Sequence, residues 1–232
     1  MTIRPVPTLA VLAVALGLAA GPAAAGEMAV VTSVGNYSVG VVSLKEARFK
    51  NVVRQQFDFS CGSAAVATLL TYHYGRPTTE EQAFQAMWES GDQAAIQNRG
   101  FSLHDMQRYL ASLGLKSDGF RLDLDKLAEV GVPAITLINI KGYNHFVVVK
   151  GVTDKDVLVG DPALGVRSIP REQFNGMWRN IAFLIRDEVE TGRENFNHAE
   201  EWAVRRKAPF GTALSRNGLA TFHVALPGLF QF

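Results

Sequence analysis

The chain has 232 residues, a formal net charge of +1 at pH 7, five histidines and one cysteine. A charge so close to zero gives no electrostatic basis for binding nucleic acid or an anionic membrane. The histidines are scattered without metal-ligand spacing, and the sequence has no glycine-rich phosphate loop. The sequence therefore predicts neither a metal nor a cofactor.

The first residues have the features of a secretory signal. Arg4 gives one early positive charge, an apolar run extends from Leu9 to about Ala20, and three alanines stand just before Gly26. Small residues at those positions suit signal-peptidase cleavage, and the apolar run is too short to span a bilayer as a helix. We interpret residues 1–25 as a cleaved signal peptide that directs the chain to a bacterial periplasm or outside the cell. The alternative is an uncleaved N-terminal anchor.

Two segments that alternate like strands follow the signal, at 28–34 and 37–44. The turn dipeptide Gly35-Asn36 between them predicts a β-hairpin. The mature chain is long enough for one domain with a sizeable core and an appendage. We expect it to divide into an N-terminal hairpin extension at 26–50, a domain at 51–186 and a C-terminal extension at 187–232.

The single cysteine, Cys61, stands at the start of a predicted buried helix. Residues 63–74 are rich in alanine and apolar on almost every side, and the free amides and dipole of a helix start stabilise a thiolate. A lone cysteine is often only a small core residue. In an exported protein, however, structural cysteines normally occur in pairs, so an unpaired thiol indicates reactivity or intermolecular pairing. The adjacent Gly62 would let a substrate approach the backbone closely.

Two more helices are predicted after this one. Residues 78–82 resemble a capping segment, and Ser102 suits the N-cap of the second helix. The intervening residues 91–100 are expected to form a loop. In the first turn of the second helix, His104 and Asp105 are interpreted as surface residues, because an acidic residue there complements the helix dipole.

A strand that opens on a histidine and a strand that ends before an aspartate form the next predicted unit. Residues 146–152 and 157–160 have the composition of a β-hairpin. His145 precedes its first strand and Asp161 follows its second, and such ends lie side by side in an antiparallel pair. The sequence thus predicts a contact between an imidazole and a carboxylate. The alternative is that Asp161 and Pro162 mark only a turn.

The remaining sequence closes the domain and adds a different segment. A short helix is predicted from about 168 to 178, and a strand at 181–185. Beyond them the chain is charged and helical around 199–204, and it ends in an apolar tail at 208–232. Because an exposed apolar surface invites aggregation, we expect this tail to dock on the domain or on a partner.

Together these residues are the components of a papain-like cysteine hydrolase. An ionised thiol is the nucleophile, an imidazole takes its proton, a carboxylate orients the imidazole, and a glutamine amide donates to the oxyanion. Their order and spacing over 52–186 resemble the bacteriocin-processing cysteine peptidases, cysteine peptidase family 39, which cut leader peptides after a double-glycine motif. The resemblance rests on a glutamine six residues before the cysteine, on Cys-Gly-Ser-Ala-Ala, on the His-Phe-Val-Val-Val strand and on the Asp-Pro-Ala-x-Gly turn.

The resemblance implies an α+β, papain-like fold, with a helical part that carries the nucleophile packed on an antiparallel sheet that carries the histidine and the aspartate. It implies an exported thiol peptidase that cuts after a Gly-Gly-like site, as in the stand-alone secreted members found with functional-amyloid export systems. The site residues it implies are the nucleophile Cys61, the general base His145, the orienting carboxylate Asp161, the oxyanion donor Gln55 (with Gln56 as second choice), and the substrate-binding residues Gly62 and Asn144.

Two departures from the family limit what is carried over. Its exporters have membrane and ATP-binding domains, and this sequence shows neither, so transport and ATP are not expected. A signal peptide also places the chain on the other side of the membrane from those exporter domains. The expected partners are therefore an exported or outer-membrane substrate with a Gly-Gly-like site and a component of an export system. A non-catalytic leader-binding or chaperone module, and a papain-fold amidase or acyl transferase, are the alternatives.

Overall fold

The computed structural model of the protein describes residues 26–32, 35–41 and 44–203. Its strands are β1 (Gly26–Thr32), β2 (Gly35–Val41), β3 (Ser117–Arg121), β4 (Ala134–Ile140), β5 (Tyr143–Val152), β6 (Asp156–Asp161), β7 (Gly165–Pro170) and β8 (Trp178–Ile185). Its helices are α1 (Leu44–Arg48), α2 (Cys61–His73), α3 (Glu80–Ser90), α4 (Gln93–Arg99), α5 (Leu103–Ser112), α6 (Leu124–Val130), α7 (Arg171–Met177), α8 (Val189–Glu194) and α9 (Ala199–Trp202).

The two N-terminal strands form the predicted hairpin, but Gly35 and Asn36, which were predicted as its turn, belong to the second strand because they pair with Thr32 and Val31. β1 and β2 pair antiparallel, with Gly26 opposite Val41 and Thr32 opposite Gly35. Strands β1 and β2 belong to one compact unit, and the described chain from Leu44 onward belongs to a second. The second unit contains every candidate site residue.

A six-stranded antiparallel sheet forms the centre of the second unit, in the order β3-β8-β4-β5-β6-β7. Helix α2 packs on one face, where Leu69 and Leu70 join a buried cluster with Ile135 and Val148 of the sheet. A second buried cluster on these strands includes Phe174 and residues of α6. The predicted α+β arrangement, with a helical part packed on an antiparallel sheet, is confirmed.

Several elements differ from the sequence prediction. The edge strands β3 and β7 were not predicted, and the supposed helix at 168–178 begins only at Arg171, because 168–170 pair with β6. The stretch predicted as a loop at 91–100 contains α4. The Asp92 side chain caps this helix by accepting the amide of Ala95 at 3.0 Å.

The prediction for the first turn of α5 was half wrong. His104 is exposed, as expected, but Asp105 is buried. Its carboxylate accepts the backbone amide of Ser102 at 2.8 Å, and its other oxygen accepts from Arg108 at 2.7 Å. Asp105 therefore closes a capping box with the N-cap residue, which encloses it against the helix start.

Some sequence predictions lie outside the described residues. These are the signal peptide at 1–25 and the apolar tail at 208–232, and they stay predictions. The charged helix predicted around 199–204 is present as α9, which ends at Trp202. Within the described ranges, no helix combines the length and apolar character needed to cross a membrane.

Candidate active site

Cys61 is the first residue of the thirteen-residue helix α2. Because its residues are apolar, the helix is buried on nearly all sides. Cys61 belongs to the same buried cluster as Phe146 and Val148 of the sheet. Cys61 is 6% exposed and is a free thiol. A thiolate at this position is stabilised by the positive end of the helix dipole. The predicted place of the cysteine, at a helix start, is confirmed.

His145 and Asp161 meet at the end of the β5–β6 hairpin. Val148 lies opposite Gly160 in the antiparallel register, which brings the beginning of β5 next to the end of β6. His145 Nε2 lies 2.8 Å from Asp161 Oδ1. Because an ionised carboxylate can only accept hydrogen bonds, Nε2 carries the proton in this contact. The predicted imidazole–carboxylate contact is therefore confirmed.

The turn after Asp161 fixes its carboxylate. Asp161 Oδ1 also accepts the backbone amides of Ala163 at 2.9 Å and Leu164 at 3.2 Å. Oδ2 lies 3.6 Å from Arg167 Nη1, on β7. The segment therefore forms the turn that one interpretation predicted. That turn also orients the carboxylate towards His145, as the other interpretation predicted.

Electrostatics favour a charged pair. Burial alone would lower the pKa of His145, but the hydrogen bond with Asp161 and the electrostatic interactions with Asp161 and Cys61 raise it to about 9. Burial would raise the pKa of Asp161, but the hydrogen bond and charge of His145, the amide of Ala163 and the charge of Arg167 hold it below its ordinary value. At neutral pH the pair is an imidazolium and a carboxylate.

The free ring nitrogen of His145 is available to the thiol. His145 Nδ1 is buried, and no described residue completes a well-formed hydrogen bond to it. Cys61 lies close enough to the ring for its charge to raise the pKa of His145. The structure thus brings Cys61, His145 and Asp161 together in the order that an activated cysteine nucleophile requires.

Gln55 lies beside this group, and Gln56 points away from it. The backbone amide of Gln55 donates to the carbonyl oxygen of Pro162, the residue after Asp161, at 3.0 Å. Its side-chain Nε2 donates to Phe57 O at 3.0 Å, and its Oε1 is buried without a hydrogen-bond partner among the described residues. Gln56 is exposed and lines a separate cleft beside α3. Gln55 thus contacts the turn that follows Asp161 through its backbone, and its role as oxyanion donor stays a prediction.

Gly62 and Asn144 have clear structural settings. A Cβ at Gly62 would meet Met106 Cε at 2.8 Å and Phe101 Cβ at 2.9 Å, so close packing of α2 requires the glycine. The sequence alone did not show this packing reason for the glycine. Asn144 is exposed, and its side-chain oxygen accepts from Asn139 at 2.8 Å. Contact of either residue with a substrate stays a prediction.

Tyr143 is a site residue that sequence reasoning missed. Its ring stacks on His145, with centroids 6.1 Å apart, and its hydroxyl donates to Asp58 O at 2.9 Å. It therefore connects the start of β5 to the loop before α2. Its position two residues before the histidine was visible in the sequence, but nothing local indicated a partner 85 residues away. Among the described residues, no group of three or more histidine, cysteine or acidic side chains could hold a metal.

Comparison with known proteins identifies the family. A model of the Peptidase C39 family matches residues 49–190. The chain is 39% identical over 170 residues to the probable functional amyloid protease FapD of Pseudomonas fluorescens, which covers 72% of this chain and 75% of that protein. It is 41% identical over 145 residues to the protein of the same description from Pseudomonas aeruginosa, which covers 62% of this chain and 64% of that protein.

Solved structures agree with this assignment. A crystal structure of a double glycine motif protease from an AMS/PCAT transporter, in complex with the leader peptide, matches with a TM-score of 0.50 and 29% identity. The match covers 58% of this chain and 89% of that one. The peptidase domain of Streptococcus ComA has the same fold, with a TM-score of 0.51 and 20% identity over 58% of this chain and 96% of that one. The predicted papain-like fold and family resemblance are confirmed, and the chain belongs to the Peptidase C39 family of cysteine peptidases.

Proposed function

We propose that this peptidase cuts a peptide bond after a Gly-Gly-like site in an exported substrate, with Cys61 as nucleophile, His145 as general base and Asp161 as its orienting carboxylate. The observation that carries the proposal is the convergence of a helix-start thiol, a buried imidazole and a fixed carboxylate. A leader-binding module without catalysis has no use for this arrangement, because a buried imidazole–carboxylate pair is costly unless its charges are used.

The mechanism follows from the positions of these groups. The Cys61 thiolate attacks the substrate carbonyl, and Gln55 Nε2 with the Cys61 backbone amide stabilises the oxyanion. The imidazolium of His145 gives its Nδ1 proton to the leaving amine. A water molecule, deprotonated at the same nitrogen, then hydrolyses the thioester. Asp161 holds Nε2, at 2.8 Å, throughout these steps, so that Nδ1 stays directed to the thiol.

The preference for glycine is supported by how little of the site is exposed. Cys61 is 6% exposed and His145 4%, and Tyr143 lies over the imidazole. A site this narrow admits a bare backbone and excludes side chains by steric clash. A double-glycine specificity is also stated for the AMS/PCAT protease in complex with its leader peptide, which is similar to this chain.

The setting is proposed from the signal-like N-terminus and from the relatives. The two Pseudomonas proteins are described as functional amyloid proteases. We place this chain in the periplasm or outside the cell, where it would serve a fibre, amyloid or peptide export system. Fractionation of an expressing Gram-negative cell, followed by N-terminal sequencing of the mature protein, tests this placement. A mature chain that begins at Gly26 supports it, and a chain retained whole in the cytoplasm contradicts it.

A peptide series tests the specificity. One parent peptide with a Gly-Gly site is compared with two variants, in which either the first or the second glycine is replaced by valine. We expect cleavage after the second glycine of the parent and a loss of about a hundredfold or more in kcat/KM for both variants, because steric exclusion by a narrow site discriminates strongly. A valine placed six residues away is the matched control. Equal cleavage of all peptides would contradict the Gly-Gly specificity.

A further inference from the structure

A buried ionic cluster connects the C-terminal extension to the catalytic domain. Lys150, on β5, is 1% exposed, and its Nζ lies 2.7 Å from Glu201 Oε1 on α9. The same Nζ donates to Asn51 O at 2.8 Å, and Asn51 Nδ2 donates to Glu201 Oε1 at 2.9 Å. We call these three residues the Lys150 cluster. Glu201 lies beyond residues 49–190, where the family match ends.

Stability alone does not explain a cluster of this kind. Burial lowers the pKa of Lys150, and the charge and hydrogen bond of Glu201 act in the opposite direction. A buried ion pair can often be replaced by apolar side chains of similar volume without loss of stability. What an apolar replacement cannot reproduce is the directional bonding to Asn51, where both the backbone carbonyl and the side-chain amide are held.

From Asn51 the chain leads directly to the oxyanion donor. Val52 is buried against Gly160, where an added Cβ would meet Val52 Cγ2 at 3.2 Å and Lys150 Cδ at 3.0 Å. The Val53 amide donates to Thr68 Oγ1 of α2 at 2.9 Å. Val52 and Val53 therefore anchor the segment between the sheet and α2, and the exposed Arg54 then leads to Gln55.

At the far end of this segment, a hydrogen bond connects Gln55 to the turn that follows Asp161. The backbone amide of Gln55 donates to Pro162 O at 3.0 Å, and Pro162 follows Asp161 in the chain. Gly160, which packs on Val52, precedes Asp161 in the chain. A shift of the segment at Asn51 would thus be transmitted to Gln55, and would reach the turn that holds the catalytic carboxylate.

The described part of the C-terminal extension, at 187–203, contacts the domain at several points, so α9 is held in place. His73 Nδ1 lies 2.8 Å from Asn195 O, and burial lowers the pKa of His73 to about 3, which keeps its ring neutral and makes Nδ1 the donor. The Asn197 amide donates to Lys150 O at 2.9 Å. Trp202 packs on the buried cluster that contains Val52.

We propose that Glu201 is a positioning residue for the peptidase reaction, acting through Lys150 and Asn51 on the segment that carries Gln55. The proposal rests on the function proposed above for Gln55. A residue of the C-terminal extension then contributes to catalysis, because the proposed oxyanion donor is held from beyond the residues that the family model matches.

The first test is Glu201→Gln in the full-length protein, with cleavage of the Gly-Gly peptide as readout. We expect kcat to fall by about tenfold with KM within about twofold, because a misplaced catalytic group costs rate more than binding. Glu200→Gln is the matched control, since Glu200 is an exposed neighbour on the same helix. It is expected to leave both constants unchanged.

A second variant separates positioning from stability. Lys150→Met combined with Glu201→Leu removes both charges, so no unpaired charge stays buried. We expect its Tm to equal or exceed that of Glu201→Gln, while its kcat stays low because Asn51 has lost both partners. Unchanged kcat in both variants would overturn the proposal. So would a double variant that regains wild-type Tm and kcat together, since that outcome means a purely structural role.

A substrate without peptide specificity keeps the two proposals apart. The burst of p-nitrophenol from p-nitrophenyl acetate reports acylation of Cys61 and needs the oxyanion donors, but no Gly-Gly recognition. If the wild type gives this burst without cutting the peptide, the proposed specificity fails, and the burst rate still tests Glu201. A lower burst rate in both Glu201 variants supports the positioning role, and an unchanged rate overturns it.

Discussion

His145 Nε2 lies 2.8 Å from Asp161 Oδ1, and that same oxygen accepts two backbone amides of the turn that follows. The carboxylate is therefore fixed by its own turn before it orients the imidazole. One hairpin thus supplies both the proposed general base and its support, and only the proposed nucleophile comes from a different element. This arrangement also sets the pH range in which the imidazolium persists.

The alkaline limb of activity is expected near pH 9. The pKa of His145 is raised from 6.5 to about 9, so the imidazolium that partners the thiolate is lost only as the pH rises through that value. Asp161→Asn removes the carboxylate charge that contributes to this rise in pKa. The alkaline limb of this variant's pH profile is therefore expected at lower pH, towards 6.5. The pH dependence of kcat/KM, which reports the free enzyme, measures both.

An unmoved alkaline limb in Asp161→Asn would contradict this assignment. Arg167→Gln is a milder comparison. Arg167 acts on Asp161 from 3.6 Å and does not touch the imidazole. The alkaline limb of Arg167→Gln is expected at the wild-type pH or slightly above it, because Asp161 stays ionised in this range and the substitution removes a positive charge near the imidazolium.

The two glutamines are expected to differ. Gln55→Ala should lower kcat by about a hundredfold or more with KM little changed, because an oxyanion contact is made mainly in the transition state. Gln56→Ala is the matched control and should be much milder, since Gln56 is exposed on a separate cleft. Steady-state kinetics on the Gly-Gly peptide decide the matter. If the larger loss falls on Gln56, the oxyanion donor has been assigned one residue too early.

Tyr143 is expected to contribute to the narrowness of the site. Tyr143→Ala removes both the ring over His145 and the bond to Asp58, so the ratio of kcat/KM for Gly-Gly over Ala-Gly peptides should fall by about tenfold. Tyr143→Phe keeps the ring and loses only the bond to Asp58, so it should retain most of the selectivity. An unchanged ratio in the alanine variant would show that other residues exclude the side chain.

Much of the site was accessible from the sequence because its contacts are local. The His145–Asp161 contact follows from one hairpin, and Cys61 from the start of one apolar helix. Their convergence was inferred from family resemblance, since packing between α2 and the sheet is not a local property. Helix α4 was missed although Asp92 is an N-cap residue, because its polar sequence lacks an apolar stripe.

Long-range polar contacts account for most of what the sequence could not show. The sequence places Lys150 in the middle of a strand and gives no sign of its partner. In the structure that partner is Glu201, 51 residues away. The edge strand β7 is short and contains Arg167 and Ser168, so it forms through pairing with β6 and lacks a strong strand pattern of its own. Such elements are decided by tertiary neighbours, which local propensity does not encode.

The central claim is that Cys61 cuts the chain of its substrate after a Gly-Gly site. Its most direct test is mass spectrometry of one Gly-Gly peptide incubated with the wild type and, in parallel, with Cys61→Ala. The substitution changes little volume, so the variant should fold and keep its Tm. The account predicts two product peptides, separated after the second glycine, with the wild type and none with the variant. The same products at the same rate from folded Cys61→Ala would contradict it.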